Sequence, residues 1–157
     1  MAALTADVHI PHKGNPTKIA MPAVGADTFF AGAILYADAT NGKLQAVPAA
    51  ADTFVGICAK QVVAAAADVL VDVYVDGIWA LAYGSAAEGD QTGVIALNIG
   101  TTQSDNEADM SVLAVAALES NDILIGKMLG MNQQDTTRAW VQIMPGWLWE
   151  DTEKAWT

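Results

Sequence analysis

Between residues 68 and 83 the chain reads DVLVDVYVDGIWALAY, and Val69, Val71, Val73 and Val75 alternate with Asp68, Leu70, Asp72, Tyr74 and Asp76. A period of two is what a strand with one buried face requires. The run ends at Asp76-Gly77, a dipeptide suited to the positive φ angles of a type I′ turn, and so predicts a hairpin. With a two-residue loop, Val75 faces Ile78, Val73 faces Ala80 and Val71 faces Ala82, an apolar face throughout. The opposite face pairs Tyr74 with Trp79, Asp72 with Leu81 and Leu70 with Tyr83. Aromatics beside carboxylates mark a face that is half in water or covered by another chain.

The same reading runs along the chain from Thr28. Residues 33–36 form a short apolar strand, Asn41-Gly42 is a hairpin signal, and residues 44–47 return, closed by Pro48. Residues 54–59, FVGICA, form the next strand, with Gly56 at a bulge or a close backbone approach. Residues 61–67 are Ala-rich and read as a connection or a single helical turn. Strands follow at 94–99, 123–131 and 138–144, the last two joined as a hairpin across 132–137. Ser104 and Glu107 have the spacing of a capping box, so residues 108–118 read as a short helix, while the core of that run, 112–115, suits a strand equally well. Short strands with turn signals about every eight to twelve residues predict an all-β protein, a compact β-barrel or sandwich of antiparallel strands.

The two ends break the pattern. Residues 1–27 hold Pro11, Pro16, Pro22, Gly14 and Gly25 and read as an extended N-terminal arm, either disordered or lying on a partner. The β domain spans residues 28–146. Residues 147–157 form a tail with Trp147, Trp149 and Trp156, three of the five tryptophans. Exposed indoles promote association, so this tail is expected to dock on a neighbouring subunit or a larger partner.

Charge and composition narrow the function. The chain has 157 residues and a net charge of −11. It has no Lys/Arg cluster, which argues against nucleic acid as a direct partner. No apolar run reaches the ~20 residues of a membrane span, and the N-terminus lacks the pattern of a secretory signal, which places synthesis in a cytoplasm. The single cysteine, Cys58, lies in an apolar run and reads as core packing. His9 and His12 form H-I-P-H, but no third ligand of a suitable type is nearby, so they read as exposed or contact residues rather than a metal pair. The acidic residues Asp105, Glu107 and Asp109 lack the glycine and terminal glutamate of an EF-hand loop. No nucleophile motif, metalloprotease motif or paired carboxylates occur, and Asp68, Asp72 and Asp76 are spaced about 13 Å apart along a strand, too far for an acid–base pair. The expectation is a protein that is not an enzyme and carries no cofactor.

The segment FVGICAKQVVAAAADVLVDVYVDGIWAL resembles the central part of small tailed-phage capsid decoration (cement) proteins. The matching features are Val55-Gly56-Ile57-Cys58, the Ala-rich link 64–67, the alternation Val71, Val73, Val75, then Gly77 and Ile78-Trp79. Similar features recur upstream in residues 31–47, in Ile125-Gly126-Lys127-Met128, and in Val141-Gln142-Ile143-Met144-Pro145-Gly146. The likeness covers residues 28–146; the N-terminal arm, the acidic loop 100–109 and the Trp-rich tail depart from it. What the resemblance implies is a domain that trimerises on the outer surface of a capsid and stabilises the shell by binding across subunits of the major capsid protein. On that reading the protein is made in the host cytoplasm and resides on the virion.

The residues expected to make intersubunit or capsid contacts are Ile10, His12 and Ile19 of the arm, Tyr74, Trp79 and Tyr83 of the central segment, and Trp147, Trp149 and Trp156 of the tail. The alternative is a carbohydrate- or surface-binding β-module that stacks exposed aromatics on sugars. It requires those aromatics on a rigid sheet or loop rather than in a terminal tail.

Overall fold

A computed structural model describes residues 6–46, 52–82, 94–98, 111–113, 122–135 and 138–145, and among them every regular element is a strand. A six-stranded sheet has the order β1 (His12–Lys13), β9 (Ile78–Ala82), β13 (Arg138–Ile143), β12 (Asp122–Met131), β10 (Val94–Asn98) and β11 (Ser111–Leu113). A five-stranded sheet has the order β2 (Lys18–Pro22), β8 (Leu70–Tyr74), β6 (Thr53–Cys58), β4 (Ile34–Ala37) and β5 (Leu44–Gln45). A two-stranded sheet joins β3 (Asp27–Phe29) to β7 (Val62–Ala64). All ladders within the sheets are antiparallel. The all-β expectation holds.

The hairpin expected at Asp76-Gly77 does not form. β8 and β9 belong to different sheets, so the expected pairs Val75–Ile78, Val73–Ala80 and Val71–Ala82 are absent. A type I′ turn needs positive φ at both central residues, and only Gly77, at 103°, has one. Residues 75–77 instead carry the chain from the five-stranded sheet into the six-stranded one. This is how a bent strand makes a corner between two sheets.

The N-terminal segment follows the same corner. Lys18 pairs with Tyr74 and Pro22 with Leu70 in one sheet, while His12 pairs with Trp79 and Lys13 with Ile78 in the other. At the crossing the Val75 N–H donates to the Thr17 carbonyl at 3.0 Å, and the Thr17 N–H donates to Asp76 Oδ1 at 2.6 Å. The Ile143 N–H donates to the Gly77 carbonyl at 3.1 Å, which fixes the corner from the third side. β1 and β2, read from sequence as part of an extended arm either disordered or lying on a partner, are thus edge strands of the two large sheets. Pro22 fits this place, because an edge strand does not need every N–H.

Two apolar cores lie on opposite faces of the five-stranded sheet. Ile34, Tyr36, Phe54 and Ile57 pack with Trp79, Leu81, Ile125, Met128 and Val141 of the six-stranded sheet. Leu35, Val55, Cys58, Val71 and Val73 pack with Phe29 and Ala64 of the two-stranded sheet. Phe54 and Ile57 share a face although they are three residues apart. The ladder shifts register there, with Leu35 opposite Gly56 and Tyr36 opposite Phe54, so one extra residue resets the alternation. Gly56 also permits close approach: a Cβ on it would collide with the Tyr74 carbonyl oxygen.

The other expectations divide. β4 and β5 form the hairpin signalled by Asn41-Gly42, but through a longer loop. Asp38 Oδ1 accepts the N–H groups of Thr40 and Asn41, and Gly42, with φ 72°, donates to the Asp38 carbonyl. The Ala-rich link contains β7 rather than a helical turn, because Val62 and Val63 are β-branched and find partners in Phe29 and Thr28. Ser111–Leu113 is a strand, the second of the two readings of that region. β12 and β13 form the expected hairpin. The acidic loop 100–109 lies outside the described residues.

Candidate interaction surface

β13 alternates strictly: Ala139, Val141 and Ile143 are buried, which turns Arg138, Trp140 and Gln142 to the outer face of the six-stranded sheet. Trp140 lies opposite Ala80 on one neighbouring strand and Gly130 on the other. Those two small residues leave room for an indole on the sheet surface, and Trp140 is half-buried there. Lys13 Nζ stands 4.5 Å from the centre of its ring, a cation–π contact. Arg138 Nη1 donates to the Ala80 carbonyl at 2.8 Å, and its Nε lies 3.5 Å from Asp135. Lys127 is opposite Gln142 on the same face. Beside them Ile78 is half-buried and Leu129 is 46% exposed. One aromatic and three of the chain's seven basic residues therefore share one rigid face.

Three of the residues singled out from sequence also come together, by a route the sequence did not indicate. The rings of Tyr74 and Trp79 are 5.2 Å apart, and His12 lies 4.7 Å from Trp79 and 6.3 Å from Tyr74. The corner, rather than a hairpin, brings Tyr74 and Trp79 together, and the register of β1 on β9 adds His12. They line an open groove of about 350 Å³ with Asp7, His9, Ile10 and Cys58. Trp79 is only 3% exposed, and its Nε1–H donates to the Asp76 carbonyl at 2.9 Å. Ile10, at 8%, belongs to the first core. Both side chains are committed to the fold. His12 remains exposed, as does Ile19 at 38% on edge strand β2. Tyr83, Trp147, Trp149 and Trp156 lie outside the described residues.

The groove offers little reactive chemistry. Burial pushes the Cys58 thiol up to about 11 from an ordinary 9.0, with Asp7 and Asp72 acting in the same direction. The sulfur is protonated near neutral pH and donates to the Lys60 carbonyl at 3.2 Å. Among the described residues no group of three or more His, Cys, Asp or Glu side chains is arranged to hold a metal ion. Sequence reasoning placed Trp140 in its strand but assigned it no contact role. The available signal was R-A-W-V-Q-I, where Trp140 falls out of phase with the apolar Ala139 and Val141. No protein-family model, curated protein or solved structure matches the chain.

Proposed function

We propose that the protein is a structural virion component that decorates the outer surface of a phage capsid. It binds across subunits of the major capsid protein, assembles with itself as a trimer, and performs no catalysis. The observation that carries this reading is the outer face around Trp140, a large aromatic held on a rigid sheet with Lys13 over its ring and with Lys127 and Arg138 on the same face. Trp and Arg are the residue types most enriched where binding energy concentrates, and a sheet holds them at little entropic cost on association. The resemblance of residues 28–146 to decoration proteins supplies the partner.

The sugar-binding alternative needs aromatic faces open to solvent. Trp79 is closed off, Tyr74 is half-buried against it, and Lys13 stands over the ring of Trp140. The test is co-sedimentation with empty shells assembled from a major capsid protein. Saturable pelleting, and shells that withstand a higher temperature when coated, are expected. A protein that stays in the supernatant at every ratio overturns the proposal.

A further inference from the structure

The outer face of the six-stranded sheet has an apolar patch at its centre. Trp140 and Ile78 are half-buried there and Leu129 is 46% exposed. The margin is cationic. Lys13 stands over the Trp140 ring, Arg138 is held by the Ala80 carbonyl and Asp135, and Lys127 makes no ion pair among the described residues.

Beyond Pro145 the sequence reads GWLWEDTEKAWT, residues that lie outside the described ones. Trp147, Leu148 and Trp149 stand directly before Glu150, Asp151 and Glu153. Such a segment complements the Trp140 face in hydrophobic character as well as in charge. The direction in which the chain leaves the sheet bears on which copy receives it. Ile143 is buried, Met144 half-buried and Pro145 buried, and the Met144 N–H donates to the Ile125 carbonyl at 2.8 Å. The chain therefore runs on in line with β13, which carries Pro145 about 16 Å past Trp140. It cannot return as a strand beside β13, because β9 and β12 occupy both sides. To lie over its own Trp140 it must rise about 10 Å above the sheet while travelling back, a path of about 19 Å. Trp149 is four residues past Pro145, and four residues span at most about 14 Å. The Trp147–Trp149 segment falls short of the Trp140 of its own chain and points outward to a neighbour.

We propose that the Trp147–Trp149 segment of one copy docks on the Trp140 face of a second copy of this chain. The indoles and Leu148 cover Leu129, Ile78 and the open part of Trp140, which removes apolar surface from water on both partners. Glu150, Asp151 and Glu153 then fall among Lys13, Lys127 and Arg138 and set the register of the tail. A contact between two different surfaces of one chain is head-to-tail, and such contacts generate a ring where the rotation closes. This inference rests on the reading above only in taking the chain to assemble with itself.

The experiment measures solution mass by light scattering during size-exclusion chromatography for the wild type, Trp147→Ser/Trp149→Ser and Leu129→Lys. The first variant changes the tail and the second an exposed position of the receiving face, and none of these residues belongs to either described core. A multimeric wild type is expected, with association weakened about tenfold or more in each variant. Either variant at the wild-type mass overturns the proposal, as does a wild type that is monomeric at every concentration. A Leu129→Cys/Leu148→Cys variant treated with a short bismaleimide shows which chain supplies the tail. Cys58 is buried and protonated, so it does not compete. Cross-links between chains, seen as a ladder on a denaturing gel, are expected. A product confined to single chains, or no product, overturns the proposal. Co-sedimentation with capsid shells separates the two claims. A wild type that assembles as described but never pellets refutes capsid decoration and leaves the tail contact standing. A monomer that pellets does the reverse.

Discussion

The two large sheets use the same local pattern for different ends. In the five-stranded sheet β6 is apolar on both faces: Phe54 and Ile57 enter one core, Val55 and Cys58 the other. In the six-stranded sheet β13 is apolar on one face and carries Arg138, Trp140 and Gln142 on the other. A strand buried on both sides has no surface left for a partner, whereas a strand buried on one side keeps its outer positions free for recognition. Stability should therefore concentrate around β6 and association around β13. Substitutions in the two strands separate these properties.

The largest loss of stability is expected from Phe54→Ala. This fully buried ring joins β6 to the six-stranded sheet, and its removal costs about 3–5 kcal/mol. Chemical denaturation would show a lower midpoint with an unchanged slope. Gly77→Ala acts at the corner, where φ is 103° and a Cβ would lie 3.2 Å from Pro16. A cost of about 1–3 kcal/mol is expected. Faster amide exchange should appear first at Thr17, Val75 and Ile143, whose N–H groups are bonded across the corner.

Cys58 gives a pH-dependent effect of lesser size. Well below pH 9 the thiol is neutral in both the folded and the unfolded chain. Between 9.0 and about 11 the unfolded chain ionises first, so stability falls as pH rises through that window. By pH 10 this loss is about 1 kcal/mol, and Cys58→Ala should lack it in melts recorded from pH 8 to 11. The smallest effect on stability is expected from Trp140→Ala, about 1 kcal/mol or less because the ring is half-exposed and its neighbours are small. The same substitution should have the greatest effect on association. That reversal of rank is what the contrast between the sheets requires.

Much of the fold was legible in the sequence because period-two alternation and turn dipeptides are local. The strands containing Phe54, Val71, Val73, Ile125 and Val141 follow from it, as does the β12–β13 hairpin. What alternation does not encode is the partner. The Asp76-Gly77 dipeptide suits a hairpin, yet the bonds that decide the matter come from Thr17 and Ile143, about 60 and 65 residues away in sequence. For the same reason the proline-rich start of the chain read as an extended arm, disordered or lying on a partner, although it supplies two edge strands. The candidate surface was less legible still. Trp79 and Ile10 look like contact residues until long-range packing buries them. Trp140 owes its room on the sheet surface to Ala80 and Gly130, which pairing alone brings beside it.

The most direct test of the central claim is the solution mass of the wild type beside that of Trp140→Ala. A mass near three times 16.4 kDa for the wild type, falling toward a single chain in the variant while its circular dichroism is unchanged, is what the account requires. A wild type that remains a single chain, or a variant that assembles as the wild type does, would contradict it.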